Sequence, residues 1–174
     1  MQVNGLKTTR RRTATIYSRG RDKATQQEVS IGVEISEGAK ETKDPQDFTR
    51  AEGRVFLRFF NSGQPKEKQI TVMLEPWEAY DAFLKVQQAV RSKEKVALEM
   101  APHKFTRGQE TIITTVVFEK WAVNEKKSSY AIKAVRKGQM HNVSMNETNF
   151  LYAGELLRFF STLASYSDVL ARAS

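Results

Sequence analysis

The sequence predicts an α+β protein built from two β-β-β-β-α repeats, each an antiparallel sheet packed with a helix. Three observations predict it. Several short stretches alternate apolar and polar residues, the period of half-buried strands. Two longer stretches, one opening at Pro76 and one after Asn146, carry apolar residues at helical spacing. The order strands, helix, strands, helix runs along the chain once in full, so that the second half repeats the layout of the first.

Residues 1–23 hold Lys7, Arg10, Arg11, Arg12, Arg19, Arg21 and Lys23 against Asp22, a net +6. They read as a basic, flexible arm in which residues 13–18 form at most a short strand. Residues 24–166 form a single domain, the two repeats covering about 13–92 and 93–166, and 167–174 are a C-terminal tail. Val29, Ile31, Val33 and Ile35 alternate with Ser30, Gly32 and Glu34 and predict a strand. Residues 36–52 show no apolar period and read as a long loop. Residues 54–60 predict a strand apolar on both faces, and 69–74 resume the pattern after a turn at Pro65. Pro76 opens a helix, where its missing N–H costs nothing; Ala79, Tyr80, Phe83, Val86, Gln87 and Val90 share one stripe.

The programme then recurs. Residues 95–100 alternate, Gly108 marks a turn, and 111–123 read as a long β-branched and aromatic strand. A polar turn over 124–127 leads to a strand at 130–136, and Gly138-Gln139 turns into another at 140–145. Asn146 is the N-cap of a last helix over about 147–166. That helix is apolar nearly all round, which predicts self-association through it. At an offset of 75, Leu57, Arg58 and Gly63-Gln64 fall on Ile132, Lys133 and Gly138-Gln139. At an offset of 72, Met73, Glu75, Tyr80 and Leu84 fall on Met145, Glu147, Tyr152 and Leu156. The pairings point to an internal duplication.

With 40% apolar and 28% charged residues, the composition is that of an ordinary folded domain. Cysteine is absent, which excludes disulfides, thiolate zinc sites and cysteine nucleophiles. No apolar run reaches the ~20 residues of a membrane span, and no apolar stretch follows the basic N-terminus as in a secretory signal. The expected setting is intracellular, cytoplasmic or nucleoid-associated, with no membrane partner. The net charge of +8 lies mainly in the arm, while residues 101–140 add a second basic region of +5. A basic arm with one basic face fits a polyanion partner.

Single strands are held by cations that follow phosphates and rings that stack on bases. Phe56, Arg58 and Phe60 alternate on one face of their strand; Lys133 and then Lys137 carry the matching cations in the second half. Lys120 and Trp121 end the long strand, Lys126, Lys127 and Tyr130 flank the next turn, and Tyr17, Arg19 and Arg21 extend Arg10, Arg11 and Arg12 toward the first sheet. Other readings fit some of these residues equally. Phe56 and Phe60 suit a core covered on both faces, Trp121 a packed strand end, and Lys126 and Lys127 a solvated hairpin tip. Trp77 reads as structural. The expected ligand is single-stranded DNA or RNA, DNA favoured, bound with little sequence preference and no cofactor or metal. An assembly module whose arm contacts an acidic protein is the alternative.

The layout over residues 13–166 resembles the Whirly proteins, and also the Pur repeat proteins and the mitochondrial guide-RNA-binding proteins of similar shape. The Lys-Gly-Lys-Ala-Ala-type signature of plant Whirly sequences does not occur. The resemblance implies single-stranded nucleic acid lying along the sheets, with the helices making oligomer contacts. Catalysis is not expected. His103 and His141 sit in no metal-binding pattern, and P-loop, GxGxxG and GxSxG motifs are missing.

Overall fold

The alternating stretches become two antiparallel sheets, and the two periodic stretches become helices. The computed structural model describes residues 8–21, 25–43, 49–124 and 127–173, with side chains at 12–21, 25–40, 51–106, 108–121 and 128–166. The first sheet runs in the order β1 (Thr8–Arg21), β2 (Glu28–Lys43), β3 (Thr49–Asn61) and β4 (Ile70–Leu74). Helix α1 (Pro76–Arg91) follows. The second sheet contains β5 (Val96–Glu99), β6 (His103–Arg107), β7 (Glu110–Asn124), β8 (Lys127–Arg136) and β9 (Gln139–Met145), and α2 (Glu147–Ala173) closes the chain. The class is α+β, with two antiparallel sheets and two helices.

Strands β5 and β6 share one edge of β7, β5 pairing with 117–120 and β6 with 110–114. Met100 N–H still donates to Val116 O at 2.9 Å, and the ladder breaks at Pro102, which has no N–H to give. The second sheet therefore occupies four positions, as the first does, with its edge strand in two pieces. The turn between β8 and β9 is two residues long, and Lys137 and Gly138 both have positive φ (23° and 74°), the backbone that a tight hairpin requires.

Both sheets turn one face to a single core shared with the helices. Val33, Ile35, Val55, Leu57, Phe59, Ile70 and Leu74 come from the first sheet, and Val116, Phe118, Tyr130, Ile132 and Val143 from the second. The predicted stripe of α1 is rotated. Ala79, Ala82, Val86 and Ala89 are buried, whereas Tyr80 is exposed. Small residues there let α2 come close: a β-carbon at Gly154 would lie 2.8 Å from Val86 Cγ1. The N-terminus of α1 is closed by Glu75 N–H donating to Glu78 at 2.8 Å, and that of α2 by Asn149 N–H donating to Asn146 Oδ1 at 2.8 Å.

Four expectations need correction. The arm is not free over 8–21, which pair with β2 from Thr8↔Lys40 to Arg21↔Glu28. Residues 36–43 and 49–52 are strand rather than loop, because β2 and β3 stay paired to Lys43↔Thr49; residues 44–48 lie outside the described residues. The tail is not separate, since α2 extends to Ala173. Finally, the helices are not confined to one sheet each. Helix α2 meets the second sheet through Phe150, whose ring lies 6.4 Å from Phe118, and the first through Ala164, whose carbonyl oxygen sits where a β-carbon of Gly53 would stand. That reach explains the polar hairpin: its cover is α2 backbone, so the strand needs a missing side chain rather than an apolar one.

The open edge of β4 is covered from the other sheet. Arg136 on β8 donates to Thr71 O at 2.9 Å, and His141 Nε2 on β9 donates to Lys68 O at 2.7 Å. Exposed strand edges invite pairing with other chains, and these two side chains block it.

Candidate nucleic-acid interface

Register places the side chains of the first sheet's outer face, the one turned from the helices. Tyr17 stands opposite Gly32, and Gly32 opposite Phe60. Across that line, β1 contributes Tyr17, Arg19 and Arg21 at alternate positions, and β3 contributes Phe56, Arg58 and Phe60. The Phe60 ring meets Tyr17 edge-on at 5.9 Å, and the Arg58 guanidinium lies 5.8 Å from its centroid. Gly32 makes room, because a β-carbon there would approach Phe60 Cζ to 2.5 Å. Tyr17 is 60% exposed, and Arg19 and Arg21 are exposed on the same face, whereas Arg12, also exposed, shares the face of Ala14 and Ile16. This strip offers ring faces and edges beside guanidinium groups, the combination that stacks on planar bases and attracts phosphate.

Several cations already have partners. Arg58 pairs with Glu34, directly opposite on β2, and reaches Gln69 at 3.5 Å. Lys133 pairs with Glu119 on the adjoining strand β7. Lys137 pairs with Glu110 on the surface, and the lysine holds that carboxyl below its ordinary value by hydrogen bond and charge. These pairs reduce the charge offered to an incoming phosphate.

Three expected contact residues serve the fold instead. Phe56 is buried, 4% exposed. Lys120 points to the helix side and donates to Val90 O at 3.2 Å and to Ser92 O, closing the C-terminus of α1, where a cation is favoured. Tyr130 is 1% exposed, stacks on Phe150 at 4.9 Å and donates to Glu147 Oε2 at 2.7 Å. Burial first, then the hydrogen bond to Glu147 and its charge, push the phenol up to about 12.

The remaining residues do not gather at one place. Trp121 is half-buried on the outer face of the second sheet, opposite Ser129. Arg10, Arg11 and Lys127 lie on strands but their side chains are outside the described residues, as is all of Lys126. Sequence reasoning missed Gly32, although a glycine interrupting an alternating strand signals close approach by another group. It also missed Phe105 and Arg136, whose guanidinium lies 5.3 Å from the Phe105 centroid between the sheets.

Among the described residues, no cluster of three metal-ligating side chains occurs, and no helix is long and apolar enough to cross a membrane. No family model, curated protein or solved structure matches the chain. Fold and surface together define an α+β protein with an aromatic and cationic strip on one sheet.

Proposed function

We propose that the chain binds single-stranded nucleic acid, DNA in preference to RNA and with little sequence selectivity, across the outer face of the first sheet. One observation carries the reading: the edge-on pair of Tyr17 and Phe60, open to solvent at Tyr17, with Arg19 and Arg21 following on β1 and Arg58 beside the ring. Every base has a π-face, so such a strip tolerates any sequence. Net charge of +8 supplies the long-range attraction.

The duplicated, Whirly-like layout belongs to the same proposal. Leu57 and Ile132 are both fully buried, Arg58 and Lys133 both pair with a glutamate on the preceding strand of their sheet, and both sheets follow the same strand order. Fluorescence anisotropy of a labelled oligonucleotide over a salt series is the test. Single strands should bind more tightly than duplex, and affinity should fall steeply as salt rises. Absence of binding at low salt rejects the reading.

A second reading, assembly, has its own support. Trp77, Tyr80 and Leu84 are exposed on α1, as are Tyr152, Phe159 and Tyr166 on α2, with Trp77 67% and Tyr166 66% accessible. Large exposed rings at helical spacing fit a second copy of this chain. Mass measured in solution should exceed that of one chain, and Tyr152→Ser with Phe159→Ser should return it to one.

A further inference from the structure

Between the two sheets lies a cleft of about 310 Å³, walled by Thr71 and Met73 of β4, by His103, Lys104 and Phe105 of β6, and by Arg136 of β8. Its volume is at the lower end of the roughly 300–1,000 Å³ typical of small-ligand sites. No lining residue is acidic. Arg136 is fixed by two bonds, Nε to Thr114 Oγ1 at 2.7 Å and a terminal nitrogen to Thr71 O at 2.9 Å. Among the described residues no carboxylate answers its charge, and burial holds its pKa below the ordinary value. Lys104 is exposed on β6, where it alternates with His103 and Phe105 and so stands on the opposite face from Arg136. His103 Nε2 is buried with no hydrogen-bond partner, although its Nδ1 lies 4.0 Å from Glu78. Phe105 is 44% exposed and turns one side to the Arg136 guanidinium.

We propose that this cleft binds a nucleoside monophosphate unit, its phosphate held by Arg136 and its base laid against Phe105. An arginine whose charge no lining acid answers matches a phosphate group. With Nε and one terminal nitrogen of the guanidinium committed to Thr114 and Thr71, the other terminal nitrogen keeps its donors for a phosphate oxygen. Phe105 supplies the stacking surface, and His103 Nε2 an unmet bond for a ribose hydroxyl or a base edge. The site faces the junction of the sheets rather than the strip of Tyr17 and Phe60. It therefore stands apart from the strand-binding reading.

Calorimetric titration of the full chain with adenosine 5′-monophosphate, adenosine and inorganic phosphate tests it. The monophosphate should bind, with each fragment at least about tenfold weaker, since charge and stacking act together. Phe105→Leu, at an exposed position, should weaken it by about tenfold while the thermal midpoint holds, and Lys104→Ala, on the opposite face, should leave it unchanged. Tyr17→Ala should leave it unchanged, which separates this site from the outer strip. Competition by 5′-phosphorylated but not 5′-hydroxyl oligonucleotide assigns the end of a strand; competition by neither assigns the free nucleotide. No binding at millimolar monophosphate, or unchanged binding in the Phe105 variant, overturns the proposal.

Discussion

Phe60 rests over Gly32. A β-carbon at residue 32 would lie 2.5 Å from the ring's Cζ and 2.9 Å from Cε1, so the ring occupies the space that β2 leaves empty. From that seat it presents itself to Tyr17 and Arg58. Alanine ordinarily suits a strand better than glycine, because glycine loses more backbone entropy on folding. Here the clash is larger than that gain. Gly32→Ala should destabilise the fold by about 1–3 kcal/mol in urea titration and weaken oligonucleotide binding by displacing the ring.

The two exposed and buried aromatics of this face should separate cleanly. Tyr17→Ala should change stability by no more than about 0.5 kcal/mol, being an exposed position, yet lose about 1–3 kcal/mol of binding, the worth of one stacked base. Phe56→Ala should do the reverse. It should cost about 3–5 kcal/mol of stability while affinity per folded molecule holds. Paired denaturation and anisotropy curves for the two variants check both halves of this statement.

Alkaline stability should report on Tyr130. Its phenol titrates near 12 in the folded chain against an ordinary value of 10.0, so the folded state keeps its proton where the unfolded state has lost it. The stabilisation is complete below pH 10 and declines as pH rises toward 12. Tyr130→Phe should flatten that decline, at the loss of the hydrogen bond to Glu147. Urea midpoints between pH 8 and about 12 measure it.

Elements whose faces meet the core were legible in the sequence. Val33 and Ile35 on β2, Leu57 and Phe59 on β3, and the helix starts at Pro76 and Asn146 follow from period and capping alone. The far ends of β2 and β3 were hidden because Gly53 meets α2 through its smallness, opposite buried Ala39, and no apolar alternation marks them. Strand β6 was hidden because Lys104, Phe105 and Thr106 are all exposed on an edge. The site was half legible. Tyr17, Phe60 and the arginines of β1 could be named, but Glu34 and Glu119, which neutralise Arg58 and Lys133, are assigned only by cross-strand register. Linear spacing carries no such register. Tyr130 likewise looked like a turn residue until Phe150 and Glu147 were brought against it.

Hydrogen exchange followed by mass spectrometry, with and without a saturating single-stranded oligonucleotide, tests the central claim most directly. Binding across the outer strip should slow exchange in peptides of β1 and the β2–β3 ladder around Tyr17, Gly32 and Phe60, while the surface of the helices is unaffected. Protection confined to α1 and α2, or no protection of these strands when the oligonucleotide is demonstrably bound, would contradict it.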